Sequence, residues 1–295
     1  MTMASLSTTA QEDPYLDLEE IDGKKALEFV NTQNQKTFAV LEAEKEYASL
    51  YQKALTILNA KDRIVYPSIT GDYVYNFWQD ATHVRGIWRR MTTADYNAGK
   101  SNWDILLDLD ALSEKEQKKW VFHGATALYP GNGLYLVKLS NGGGDAHETR
   151  EFDVRTKQFV PNGIFLPEAK SSIQYWDENN LIVSTDFGPG SLTESGYPKI
   201  VKWWKRGTPL SEAKTLLSGD PTDVYNGGSV LRDGETPYLL LNKSLSFYTN
   251  KSYIYQNGQN VFIDIPDDAA LLGIKFGKAI VQLKSDWTVA DKTYS

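Results

Sequence analysis

Val65-Tyr66-Pro67, followed by Tyr73-Val74-Tyr75-Asn76-Phe77-Trp78-Gln79 and Ile87-Trp88-Arg89-Arg90-Met91-Thr92, marks the change on which the fold turns. Before it, apolar residues fall at helical spacing. After it they alternate, and aromatic and β-branched side chains crowd into short runs suited to a pleated, half-buried surface. The 8 Trp, 17 Tyr and 11 Phe of the 295-residue chain strengthen that leaning toward β structure.

Working back from the change, residues 23–59 read as helix. Ala26, Leu27, Phe29 and Val30, then Phe38, Val40, Leu41, Tyr47, Leu50, Tyr51, Leu55 and Leu58, build one apolar face. Glu42, Glu44, Lys45 and Glu46 supply the polar side, and Asp22 is the expected N-cap. The polar run Asn31–Lys36 is the expected break between two helices. Residues 1–11 are small and polar and are expected to be a disordered tail. They lack the basic and apolar regions of a secretory signal, and no apolar run approaches the ~18 residues needed to span a bilayer. A soluble, cytoplasmic chain is therefore expected. The absence of Cys rules out disulfides and thiol chemistry but does not separate cytoplasm from periplasm.

Working forward, strands recur in groups. The first is 73–79, 87–92 and 103–109; the second 120–128, 134–139, 149–154 and 158–160. The third is 172–176, 181–185, 200–204 and 215–217; the fourth 230–231, 238–242, 252–255 and 261–265. Runs 271–276 and 279–283 open a fifth. A short helical turn is expected at 113–118. Asn141-Gly142-Gly143-Gly144, Asp177-Glu178-Asn179-Asn180, Arg232-Asp233-Gly234 and Gln256-Asn257-Gly258 punctuate the groups as turns. A recurrence of about 45–55 residues with three or four strands each is the period of a β-propeller blade. A two-sheet sandwich is the competing all-β fold, but it does not require successive meanders of similar length. The expected fold class is all-β: a β-propeller of about four complete blades plus part of a fifth, preceded by a helical arm. The expected organisation is a tail over 1–11, an arm over 12–65 and a partial propeller over 66–295.

Several motifs together carry a family resemblance. Asp13-Pro14-Tyr15-Leu16-Asp17-Leu18-Glu19-Glu20 leads into a helix ending in Asn31-Thr32-Gln33-Asn34. Gly71–Asp80 with Gly86-Ile87-Trp88-Arg89-Arg90 follows at the first blade. Phe165-Leu166-Pro167-Glu168-Ala169-Lys170, Asp186-Phe187-Gly188-Pro189-Gly190-Ser191-Leu192-Thr193, Tyr197-Pro198-Lys199-Ile200-Val201-Lys202 and Arg206-Gly207-Thr208-Pro209-Leu210 continue it. As a set they resemble the N-terminal segment and propeller of the prolyl oligopeptidase family of serine peptidases, in a bacterial branch. One departure is Asp17, where the family usually carries Trp. The resemblance implies a seven-bladed propeller over an α/β-hydrolase domain that holds the catalytic Ser, Asp and His and follows the propeller. Seven blades need roughly 350 residues, and about 230 follow Val65. The chain is thus expected to be a truncated portion without the catalytic domain.

Catalytic patterns agree with that expectation. A hydrolase of this type needs Ser on a strained strand–turn–helix elbow, usually Gly-x-Ser-x-Gly, with Asp and His downstream. No such motif occurs. Ser191 and Ser229 come nearest, yet His83, His123 and His147 all precede them. No catalytic residue is assigned. Scattered His give no zinc signature, and Asp108, Asp110 and Glu114 lack the rest of a calcium loop, so no metal or cofactor is expected. A net charge of -7 without a basic cluster argues against a nucleic-acid partner, and no membrane partner is expected.

One binding candidate remains: the long loop between the second and third strands of the third group. It offers Asp186, Phe187, Ser191, Thr193 and Glu194 as a substrate- or domain-contact surface, against an ordinary surface loop. Trp203-Trp204 reads as a strand with one ring in each neighbouring sheet interface. The expected function is gating of peptide access to a hydrolase domain, with that domain and short peptides as partners. The chain alone is expected to be inactive, and the arm or open blade edges could mediate self-association. The alternative is a self-sufficient, non-catalytic propeller that binds partners.

Overall fold

The structure, a computed structural model, describes residues 13–20, 22–60, 65–131 and 133–294. The chain divides into two compact units, 1–64 and 65–295. The expected tail lies outside the described residues.

In the first unit a 3-10 turn at Leu16–Leu18 precedes helix α1 (Lys24–Glu42) and helix α2 (Tyr47–Leu58). Asp22 does not cap α1; Gly23 holds the N-cap position without a side-chain hydrogen bond. Nor does the chain break at 31–36. The polar residues there are accommodated on an exposed helix, where Thr32 donates its hydroxyl to the Glu28 carbonyl at 2.8 Å. The break falls instead at 43–46, between the two helices. Asp17, in the family's Trp position, accepts from the Lys25 ammonium at 2.6 Å. Leu27, Phe29, Phe38, Leu41, Leu50, Tyr51 and Leu58 of α1 and α2 are all exposed.

The second unit is a set of antiparallel meanders. Blade 1 comprises β1 (Ser68–Thr70), β2 (Tyr73–Trp78), β3 (Ile87–Thr92) and β4 (Asp104–Asp108). Helix α3 (Thr93–Asn97) interrupts it and α4 (Leu109–Glu116) follows it. Blade 2 holds β5 (Trp120–Ala127), β6 (Leu134–Asn141) and β7 (His147–Asp153), with both β8 (Gln158–Phe159) and β9 (Phe165–Ala169) paired to β7. Blade 3 runs β10 (Ser172–Tyr175), β11 (Asn180–Ser184), β12 (Ile200–Lys205) and β13 (Lys214–Ser218). Blade 4 runs β14 (Tyr225–Asp233), β15 (Thr236–Ser244), β16 (Asn250–Gln256) and β17 (Gln259–Phe262). Two hairpins follow: β18 (Ala270–Lys275) with β19 (Lys278–Gln282), and β20 (Trp287–Val289) with β21 (Lys292–Tyr294).

This is the four-bladed arrangement the period predicted. Strands β1, β9, β20 and β21 and helix α3 were not expected, and the helical turn expected at 113–118 is α4, which begins four residues earlier and ends two earlier.

Adjacent residues of one strand serve different cores, because a side chain alternates between the two faces of a blade. On β6, Tyr135, Val137 and Leu139 enter the seam with blade 1, beside Trp88, Leu109 and Trp120. Leu136 enters the seam with blade 3, beside Leu166, Ile173 and Leu181. On β11, Leu181 and Val183 face that same seam while Ile182 joins Val201, Leu239 and Leu241 at the seam with blade 4. Strands buried on both faces read as continuous apolar runs, as β11 does at Leu181-Ile182-Val183. Trp204 and Trp203 divide between the two seams as expected.

The blade 2–blade 3 seam also holds a buried ion pair. Glu151, with its side chain fully buried, accepts two hydrogen bonds from the Arg206 guanidinium, at 2.6 and 2.7 Å. It accepts a third from the Tyr175 hydroxyl at 2.7 Å and a fourth from the Ile164 backbone N–H at 3.2 Å. Every carboxylate lone pair is thereby used, which is the condition under which such a group can be buried ionised.

Candidate functional site

The loop over 185–199 leaves β11 and returns as β12. Its first turn is held by side chains. Asp186 accepts the Gly188 N–H at 2.8 Å through Oδ1, the Asx-turn pattern. The Ser191 hydroxyl accepts the Phe187 N–H at 2.8 Å and lies 2.6 Å from the Gly188 carbonyl and 3.0 Å from Asp186 Oδ1. Gly188 and Gly190 take φ of 101° and 78°, which a Cβ would strain. Leu192 then bridges Pro198, closing the loop on itself.

The tip is strapped to its neighbours. Thr193 Oγ1 and Ser195 Oγ both reach the Val224 carbonyl, at 3.3 and 3.0 Å, and the Glu194 N–H donates to the Pro221 carbonyl at 2.8 Å. Val224 and Pro221 lie in the lead-in to blade 4. On the other side, the Tyr197 hydroxyl donates to Asp145 Oδ2 at 2.7 Å, in the β6–β7 loop of blade 2. That hydrogen bond to a carboxylate raises the Tyr197 phenol above its ordinary value. The Lys170 ammonium sits 4.1 Å from the Tyr197 ring centre, and Lys202 lies 4.2 Å from that of Phe187. The loop thus ties three blades at the face where second-to-third-strand loops and blade connections emerge.

The five candidate residues consequently divide. Ser191 and Thr193 are buried and spend their hydroxyls on the loop and on Val224. Asp186 and Glu194 are exposed and Phe187 is half-buried, so these three present chemistry outward. Sequence reading did not single out Asp145, Lys170, Ser195 and Tyr197, which complete the strap. Nothing in their spacing signals it, since the contacts cross from one blade to the next.

No described serine occupies a nucleophile elbow. Ser191 contacts Phe187, Gly188 and Asp186, with no imidazole among its partners. Ser229 stands mid-strand on β14, opposite Leu240. Among the described residues the one Ser–His contact is Ser171 Oγ to His147 Nε2 at 3.2 Å; the other ring nitrogen faces the Asp145 backbone carbonyl at 3.2 Å rather than a carboxylate. His147 is buried, and Ser171 lies between two strands, so the pair lacks both the elbow and the acid of a triad. Among the described residues no group of three or more His, Asp or Glu could hold a metal ion. Asp108 caps α4, accepting the Ala111 N–H at 3.0 Å, and Asp110 accepts the Arg85 N–H at 3.0 Å. No described helix is long and apolar enough to cross a membrane.

A family model described as the prolyl oligopeptidase N-terminal β-propeller domain matches residues 2–280. An uncharacterized peptidase of Sinorhizobium fredii is 42% identical over 288 residues, covering 95% of this chain and 40% of that protein. One from Rickettsia prowazekii is 30% identical over 284 residues, covering 92% of this chain and 39% of that protein. Among solved structures, a post-proline cleaving enzyme from Rickettsia typhi superposes with a TM-score of 0.82 at 31% identity, over 92% of this chain and 41% of that one. Oligopeptidase B from Leishmania major, at 14% identity and a TM-score of 0.64, shares the fold. The chain spans about 40% of the length of the curated relatives it matches.

Proposed function

The chain belongs to the prolyl oligopeptidase family through its N-terminal propeller, and from that premise we propose that it gates peptide access to a catalytic α/β-hydrolase domain of a serine endopeptidase. The observation that carries this reading is the similarity to the Rickettsia typhi post-proline cleaving enzyme, which extends over 92% of this chain but 41% of that protein. The chemistry is then acyl transfer at a peptide bond following proline. The described blades contribute no nucleophile, base or oxyanion hole to it.

What they do contribute is a rigid rim. A loop that is bonded to three blades cannot swing aside as a free lid would, so it limits substrate by size and presents fixed groups to whatever passes. Asp186, Phe187 and Glu194 are the groups proposed to meet peptide or the catalytic domain. Substrates are proposed to be short peptides, because a fixed rim lets a narrow chain pass and refuses a folded one.

A chimera tests this. This chain replaces the N-terminal 40% of the Sinorhizobium fredii relative, and cleavage is compared for short prolyl peptides and for a long unfolded protein. The isolated chain is expected to turn over neither. The chimera is expected to cleave only the short peptides, and the same catalytic portion without a propeller to lose that discrimination. Equal length selectivity with and without the propeller refutes gating. Turnover by the isolated chain that vanishes in Ser191→Ala or Ser229→Ala refutes the assignment of chemistry to another domain.

A further inference from the structure

We propose that Lys138, with His123 beside it, forms a binding site for a small oxyanion, a carboxylate or a phosphate, on the blade 3-facing side of blade 2. The register places the residues. Phe122 pairs with Leu139 and Ala125 with Val137, and a bulge between them leaves His123 and Gly124 together opposite Lys138. Val137 and Leu139 enter the blade 1 seam, so Lys138 points the other way. Thr149 lies directly across from Lys138 on β7. His147, two residues earlier on the same face, holds its ring centre 5.6 Å from that of His123 in a stacked arrangement.

The polar accounting leaves this cluster incomplete. The Lys138 ammonium makes no hydrogen bond or ion pair with any described residue, and burial lowers it below the ordinary lysine value. Thr149 and Ser140, both fully buried, leave their hydroxyls without a partner, and Ser140 shares the face of Lys138. Buried polar atoms are nearly always satisfied, so the two orphaned hydroxyls, on the same face as a half-buried ammonium with no protein acceptor, are donors without an acceptor. His147 cannot serve as that acceptor. A carbonyl only accepts, so Nδ1 donates to Asp145, and Nε2 then accepts from Ser171. Burial, with Lys138 and His123 close by, keeps this ring below the ordinary histidine value.

Three carboxylates of blade 2 are already committed. Asp145 accepts from Tyr197, Glu151 from Arg206, and Glu148 pairs with Arg150 and Lys118. An oxyanion would supply the missing acceptor atoms for Lys138, Thr149 and Ser140 at once. His123 is exposed, which leaves a route from solvent. This inference does not rest on the gating reading and survives its failure.

The chain has three histidines, so imidazole nitrogen NMR reads the site with its own control, His83 in blade 1. Inorganic phosphate, acetate, and a dipeptide with a free or an amidated C-terminus are titrated in turn. Saturable shifts are expected at His123 and His147 with His83 unmoved. Lys138→Met is expected to weaken binding about ten-fold or more, as loss of a charge-assisted hydrogen bond does, and Lys138→Arg to retain it. Response to the free-carboxylate dipeptide alone identifies a peptide terminus; response to phosphate alone identifies the free ion. If Lys138→Met does not fold, His123→Gln at the exposed position is read through His147 and is expected to reduce affinity. Absence of saturable shifts, parallel movement of His83, or unchanged affinity in the foldable variant overturns the proposal.

Discussion

Replacing Glu151 by Ala should be among the most damaging single changes in the propeller. The substitution removes a fully buried carboxylate and strands its partners: the Arg206 guanidinium, the Tyr175 hydroxyl and the Ile164 N–H. Breaking a buried pair by deleting one partner costs about 3–5 kcal/mol. The Arg206 side chain keeps 26% of its surface in water and recovers part of its solvation, whereas Tyr175 is 4% exposed and recovers little. The expected loss is therefore about 3–4 kcal/mol, read as a lowered urea midpoint in tryptophan emission. The double change Glu151→Leu with Arg206→Met, which leaves no stranded charge, should cost less than Glu151→Ala alone. The acid limb offers a second reading. Burial pushes the Glu151 carboxyl up, but the hydrogen bonds from Arg206 and Tyr175 outweigh it, and the net shift is downward. A value lower in the folded than in the unfolded chain means stability present above the unfolded value and lost as pH falls through the folded one. The gap between wild type and Glu151→Gln should therefore shrink below about pH 4. A loss under about 1 kcal/mol for Glu151→Ala, or strict additivity in the double change, refutes the argument.

Three further outcomes are expected. Ser191→Ala should cost about 1–2 kcal/mol and open the 185–199 loop to limited proteolysis, while Glu194→Ala leaves the melting temperature within experimental error. Gly228→Ala should destabilise by about 1–3 kcal/mol in thermal melts, because its Cβ would lie 2.5 Å from Ile182 Cγ2 and 3.1 Å from Val201 Cγ1 in a packed seam. Helices α1 and α2 should exchange amide hydrogens faster than β6 and β11 in dilute chain, since their Phe29, Phe38, Leu50 and Leu58 forgo the roughly 1.5–3 kcal/mol each would contribute if buried; equal protection contradicts this.

The meander was legible because its turns are written in residues with a specific conformational role. Asn257 and Gly258 take φ of 52° and 81° between β16 and β17, and Gly234 takes 61° between β14 and β15. Strand β1 was not legible: Ser68–Thr70 offers a single apolar residue, Ile69, which is exposed. Strand β9 was masked by Pro167, which argues against a strand interior but sits on a strand that pairs along one edge here. In α1, the polar run at 31–36 resembled a break only because the helix face it occupies is solvated. The loop itself could be found by its length. Which of its hydroxyls face solvent could not, because Ser191 and Thr193 look the same in sequence whether they meet water or a carbonyl. Lys138, His123 and His147 were silent for another reason. Their proximity depends on strand register and on one bulge, and neither is encoded in a local pattern.

The division of each strand between two seams has an evolutionary corollary. Inserting or deleting one residue within β6 or β11 would not merely turn apolar side chains toward water. It would send Leu136 to the neighbour that Val137 now serves, exchanging occupants between two differently shaped cores. Blade strands should therefore be nearly fixed in length, and tolerated length changes should collect where an extra residue can be shed from the pleat. The bulge at His123–Gly124 is such a place. It adds a residue to β5 while Phe122 and Ala125 keep their assigned seam. Novelty in this architecture is then expected to arise at bulges and loop tips, with each acquired residue landing on a framework whose two-sided packing does not have to be renegotiated.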